Sequence, residues 1–120
     1  MTTYLTLEDL LTLVDDLDVG PVRDLGLLES AAHRPTTTLW GQEAYATLDE
    51  KAAALLQSLV GNHALVDGNK RLGWLAVVVF YAVNDVDLDA PDDDAYELVV
   101  SVAGETLELA GVASALSAWH

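Results

Sequence analysis

The most constraining feature of the chain is the run Leu72-Gly73-Trp74-Leu75-Ala76-Val77-Val78-Val79-Phe80-Tyr81-Ala82-Val83. It is apolar on every side and carries no charge. Its twelve residues fall short of the roughly 20 needed to cross a bilayer, so the run must be buried in protein. Val77-Val78-Val79 taken alone would suit a strand. The length of the run and its lack of alternation favour a helix, expected from about Asn69 to Val83, that other elements surround.

The flanking sequence supplies those elements. Thr6-Leu7-Glu8-Asp9 reads as a helix start: Thr6 can cap, and the two acids complement the helix dipole. Leu7, Leu10, Leu11 and Val14 then recur at helical spacing until Gly20-Pro21 breaks the pattern. A second helix is expected from Asp24 to Ala32, stopping before Pro35. Residues 36–46 are polar and mixed and read mostly as a loop. A third helix runs from Thr47 or Asp49 to Asn62, with Ala53, Leu56, Leu59 and Val60 on its apolar face. Asp92-Asp93-Asp94 opens a fifth helix reaching about Ala103. Residues 105–109 are ambiguous, and a last helix spans about Gly111 to Ala118. The expected fold is all-α: a single domain over residues 1–120, an orthogonal bundle of five to seven helices around the central fourth helix.

Composition narrows function by exclusion. Without cysteine there are no disulfides, thiolate metal sites or thiol nucleophiles. Met1 to Thr6 shows neither a basic nor an apolar leader region, so no signal peptide is expected and a cytoplasmic location is the default. Twenty acidic residues against five basic ones give a net charge of -15. Duplex nucleic acid and anionic membranes are poor partners for such a surface, because both require clustered Lys and Arg. The acids are dispersed and lysine is scarce, a pattern suited to high salt, where screening removes self-repulsion. A halophilic host is therefore expected.

Against that background the segment His63-Ala64-Leu65-Val66-Asp67-Gly68-Asn69-Lys70-Arg71 stands out. Gly68 immediately precedes the fourth helix. A helix N-terminus offers unpaired N–H groups and a positive dipole end, so it attracts anions. Glycine there permits close approach of backbone to a ligand. Lys70 and Arg71 oppose the helix dipole at that spot, and binding a polyanion such as nucleotide phosphates gives them a purpose. Asp67 adds a hard oxygen ligand suited to Mg²⁺ held jointly with substrate phosphates. His63 completes the set as a general base for a hydroxyl. Base, metal ligand, anion cradle and cations within nine residues describe phosphoryl or nucleotidyl transfer. No Walker A, HExxH or GxSxG pattern competes with this reading. His33, His120, Trp40, Trp74 and Trp119 read as structural, Trp74 as core. Arg23, Arg34 and Lys51 read as structural salt-bridge partners.

The same segment resembles the core motif of the Fic/Doc family. Fic proteins carry H-P-F-x-[D/E]-G-N-G-R-x-x-R, and death-on-curing (Doc) proteins carry H-x-F-x-D-[A/G]-N-K-R-T. The sequence HALVDGNKRLGW matches at His63, Asp67, Gly68, Asn69 and Arg71. Lys70 and Trp74 side with the Doc branch, since Fic transferases have glycine and arginine at those two places. Residues 23–31, the Arg34-Pro35 pair and residues 50–62 resemble the family's upstream segments. The resemblance implies a Fic/Doc-type helical bundle in which His63 is the base, Asp67 holds Mg²⁺, Gly68, Asn69 and the helix backbone form the anion cradle, and Lys70 and Arg71 bind the phosphates of ATP. It further implies a Doc-like toxin: a protein kinase moving the γ-phosphoryl of ATP to a hydroxyl of a translation factor such as EF-Tu, opposed by a Phd-type antitoxin whose tail folds as a helix into a groove. A bulky lysine in place of glycine can block the usual α-phosphate position, consistent with γ-transfer. The motif also departs from the family: Leu65 stands for phenylalanine, Ala64 for the Fic proline, Leu72 for the Doc threonine. Two alternatives follow, a Fic-type AMP transferase and a non-catalytic binding module that keeps the fold.

Overall fold

The computed structural model describes residues 1–120. Helix α1 (Leu7–Leu17) begins in a reciprocal cap. Thr6 Oγ1 accepts from the Asp9 N–H at 3.1 Å, and Asp9 Oδ2 accepts from the Thr6 N–H at 2.8 Å. Two otherwise orphaned donors are satisfied at once. Helix α2 (Leu25–His33) is capped by Asp24, which accepts from Leu27 N at 3.1 Å. A single 3-10 turn at Arg34–Thr36 buries Pro35 and leads into a two-stranded antiparallel hairpin, β1 (Thr38–Leu39) and β2 (Gln42–Glu43). Residues 36–46, expected as mostly loop, therefore contain a small sheet. Its tip, Trp40-Gly41, has φ values of 55° and 79°, as a two-residue hairpin turn requires. Tryptophan is not a residue that announces such a turn, which is why the sequence did not.

Helix α3 (Leu48–Gly61) follows a Thr47 cap, and α4 (Asn69–Val83), α5 (Asp92–Ala103) and α6 (Leu109–Ser117) complete the bundle. The last helix starts two residues before the expected Gly111, with Glu108 as its N-cap in extended conformation. No helix is long and apolar enough to cross a membrane.

The expected centre is displaced by one helix. The element buried on nearly all sides is α3, which touches α2, the 3-10 turn, α4, α5 and α6. The cause is side-chain size. Ala52, Ala53 and Ala54 are fully buried on α3 and let neighbours approach from several directions. Helix α4 commits Leu72, Gly73, Ala76, Val77, Phe80 and Tyr81 to the core. Its remaining apolar side chains are only half-covered: Trp74, Leu75, Val78 and Val79 pack against the rim of the core, and Val83 is exposed. Trp74, expected as core, lies at this rim, edge-on to Trp119 with ring centroids 6.2 Å apart. One apolar face of α4 is thus left for something else.

Helices α3 and α4 are tied where α3 begins and α4 ends. The buried Tyr81 hydroxyl donates to Asp49 Oδ1 at 2.5 Å, and His120 Nε2 meets the same oxygen at 2.7 Å. Burial, the Asp49 hydrogen bond and the Asp49 charge together hold the Tyr81 phenol well above its ordinary ionisation range.

Candidate functional site

Where α3 ends and α4 begins, the chain makes a tight loop over residues 62–68 that places the whole motif. His63 turns the backbone with a left-handed φ of 56°. Ala64 and Leu65 then plunge into the core, each 1% exposed. The α1–α2 link runs antiparallel alongside. The Gly20 N–H donates to Asp67 O at 3.0 Å, and the Val66 N–H to Pro21 O at 2.9 Å. The N–H groups of Arg23 and Asp24 share Ala64 O at 2.7 and 3.1 Å. On the other side the Asn69 amide both accepts from Leu65 N and donates to Leu65 O, each at 3.0 Å. The loop is therefore gripped from two sides.

Gly68 caps α4 with φ 93° and ψ 12°, a conformation glycine adopts freely and other residues rarely do. A Cβ at this position would lie 2.4 Å from the Cβ of Val19. Close approach was expected here, but toward a ligand. The close neighbour is the α1–α2 link.

This grip leaves a specific set of groups facing outward. None of the backbone N–H groups of Asp67, Gly68, Asn69, Lys70 and Arg71 donates to another atom of the protein. They form an unbroken series at the positive end of α4. Lys70 and Arg71 are exposed and take part in no ion pair or hydrogen bond. His63, Asp67, Gly68, Asn69, Lys70 and Arg71 all line one cleft of about 370 Å³, closed by Val60, Val66 and Ala103. The structure thus brings together every residue expected at the site. Asn69 differs in how it takes part: its side-chain amide is engaged with Leu65, and its backbone N–H belongs to the unpartnered series. Asp67 is the one carboxylate among the lining residues, and no cluster of three or more metal-ligating side chains exists. A cation here would be held by Asp67 together with the oxygens of a bound phosphate chain, the arrangement Mg²⁺ favours.

The three remaining cations divide differently from expectation. Lys51 is an ion-pair partner: buried on α3, it meets Glu43 Oε1 at 3.2 Å and donates to Tyr45 O. Arg34 has no carboxylate. Its guanidinium donates to Tyr45 Oη, Ala54 O, Ser58 Oγ and Gln57 Oε1, fastening the hairpin base to α3. Arg23 has no carboxylate either. Its Nε and Nη2 both reach the His63 carbonyl oxygen, at 3.1 and 2.6 Å. A pairing across 40 residues leaves no trace in local sequence pattern.

The motif's departures are matters of packing. Leu65 and Leu72 are each 1% exposed in the core, and neither lines the cleft. Beside the cleft lies a larger apolar groove of about 810 Å³ between the end of α1, α4 and α5. Leu17, Trp74, Leu75, Val78 and Val99 line it, Tyr96 and Val100 stand exposed along it, and Lys70 and Arg71 belong to both cavities. It lies on the half-covered face of α4.

Comparison with known proteins agrees with this geometry. The profile of the Fic/DOC family matches residues 4–81. The chain belongs to the Fic/DOC family. A protein named Toxin Doc from Mycolicibacterium smegmatis is 47% identical over 121 residues, covering 98% of this chain and 93% of that protein. The family match takes in α1 through most of α4 and so contains the gripped loop. The similarity to Toxin Doc extends over α5 and α6, hence over both walls of the groove.

Proposed function

We propose that this Fic/DOC protein is the toxin of a toxin–antitoxin pair and a phosphotransferase, moving the γ-phosphoryl group of ATP to a hydroxyl of a protein, a translation elongation factor of the EF-Tu kind. The observation that carries the proposal is the series of five unpartnered N–H groups at the head of α4. With it in one cleft lie two unpaired cations, Asp67 and His63. A preorganised donor array of this kind stabilises charge on a transferring phosphoryl group without reorganising during the reaction.

In this mechanism the N–H groups of residues 67–71 receive phosphate oxygens, and Lys70 and Arg71 neutralise their charge. Asp67 would hold Mg²⁺, which would supply further charge neutralisation when bound. His63, at the rim of the cleft, accepts the proton of the target hydroxyl. The hydroxyl oxygen bonds to the γ-phosphorus as the bond to the β–γ bridging oxygen breaks, and ADP leaves. Lys70, where AMP-transferring relatives carry glycine, supports γ-transfer.

The apolar groove beside the cleft suits the amphipathic tail of a Phd-type antitoxin, folded as a helix with its apolar face on Trp74, Leu75, Val78 and Val99. An acid on that helix would meet Lys70 or Arg71. The setting is the cytoplasm of the host.

The test is incubation with host lysate, Mg²⁺ and ATP labelled on either the α- or the γ-phosphate. Label passing to protein only from the γ-position supports the proposal. Label from the α-position replaces it with AMP transfer, and bound ATP without transfer from either makes the protein a binding module. Growth arrest on expression, relieved by a small neighbouring protein, tests the toxin assignment.

A further inference from the structure

We infer that Arg23, on the link between α1 and α2, is a positioning residue for His63. It holds that residue's backbone in the left-handed conformation that aims the imidazole into the cleft. The inference rests on the reading of His63 as the general base.

Two of the guanidinium's donors, Nε and Nη2, are spent on one acceptor, the His63 carbonyl oxygen, at 3.1 and 2.6 Å. The next carbonyl, that of Ala64, takes the backbone N–H groups of Arg23 and Asp24 at 2.7 and 3.1 Å. Two successive carbonyls of the loop are thus turned toward the link at the point where the chain leaves α3. His63 itself has φ 56°, a left-handed conformation that residues with a Cβ adopt uncommonly, histidine more readily than most, so the bonds at its carbonyl decide whether it is kept. The backbone dihedral also sets the direction of the Cα–Cβ bond. A return of φ to the ordinary negative range would swing the imidazole away from the cleft it now lines with Asp67 and the head of α4.

Neither ion pairing nor core burial accounts for Arg23. It has no carboxylate within ion-pairing distance. The residue is exposed, so its removal uncovers no core. Its Nε–Nη2 edge converges on one oxygen, which lysine, a point donor, cannot reproduce. In a chain with five basic residues and a net charge of -15, one cation is committed to orienting a single carbonyl beside the anion-binding loop.

The experiment compares isotope-labelled full-length protein with the Arg23→Ala, Arg23→Lys and Arg34→Ala variants, by NMR at His63 and by phosphoryl-transfer kinetics. In the unaltered protein the His63 amide–α coupling and its Cα and Cβ shifts should report a positive φ. Arg23→Ala should lose that signature while the rest of the amide spectrum stays in place. Arg34→Ala, which also takes a guanidinium from a carbonyl, that of Ala54, should leave His63 unmoved. In kinetics Arg23→Ala should lower kcat about 10- to 100-fold and leave KM for ATP within about two-fold, because binding is not what it positions. Arg23→Lys should restore less than half of the lost kcat. His63 signals in Arg23→Ala superimposable on those of the unaltered protein would overturn the inference, whatever the activity. If Arg23→Ala does not fold, Arg23→Lys carries the same two outcomes. If no variant, nor the unaltered protein, transfers anything from ATP, the proposed function falls and the NMR comparison still decides the role of Arg23.

Discussion

Gly68→Ala isolates how the motif loop is held. The added methyl meets two separate obstacles. The backbone at φ 93°, ψ 12° is left-handed, and a residue with a Cβ pays about 1–2 kcal/mol there. The new Cβ would also sit 2.4 Å from Val19 Cβ and 2.5 Å from Val19 Cγ1. Pressing atoms that close into a packed site costs about 1–3 kcal/mol. The total should be about 3 kcal/mol, seen as a fall of about 2 M in the urea midpoint for a protein of this size. The two parts separate in a double-mutant cycle. Val19→Ala removes the Cγ1 overlap, but its coupling to Gly68→Ala should be only partial, because it leaves the 2.4 Å contact with the Val19 Cβ in place. Val19→Gly removes it and should recover about 1–2 kcal/mol of coupling energy, leaving the backbone cost behind. The Doc pattern admits alanine at this position, so the overlap part of the cost is assigned to this chain's Val19 and not to the motif. A loss below about 1 kcal/mol for Gly68→Ala, or equal coupling to both Val19 variants, would refute the reasoning.

Three further outcomes are expected. Asn69→Ala leaves the Leu65 N–H and C=O without their partner and should cost about 2 kcal/mol in chemical denaturation. Asn69→Asp keeps only the acceptor and should fall between. The Tyr81 phenol is held above its ordinary range by burial and by Asp49. The unfolded chain therefore loses this proton first, near pH 10, and stability should fall with rising pH above about 10 and not below it. Tyr81→Phe should flatten that alkaline slope, and an unchanged slope would count against the assignment. With a net charge of -15, a melting curve against KCl should shift upward toward molar salt through screening; no stabilisation at molar KCl would sink the expectation of a halophilic host.

The parts of this fold that were legible in the sequence are those encoded locally. Thr6 with Asp9, Asp24 and Thr47 mark helix starts that the structure places within a residue or two. Helix α4 runs over the expected Asn69–Val83. The motif residues were legible because they are contiguous, and the structure needs only one loop to bring them into one cleft. What stayed hidden is what depends on pairing across the chain. The link at residues 19–24 reads as a helix breaker, yet it forms one side of the grip on the loop through Gly20, Pro21 and Arg23. Arg23 read as a salt-bridge partner because its actual partner is a backbone carbonyl, which no sequence pattern displays. An all-apolar helix suggested the centre of the bundle. The alanines of α3 took that place, since centrality depends on how closely neighbours can approach as well as on hydropathy.

The central claim is that this cleft transfers a phosphoryl group, with His63 as the base. Its most direct test is the mass of a purified elongation factor of the EF-Tu kind after incubation with the protein, Mg²⁺ and ATP. The account predicts a mass increase of one phosphoryl group on a single hydroxyl residue, and no increase with the His63→Ala variant. An increase of one AMP, or an increase that persists undiminished in His63→Ala, would contradict it.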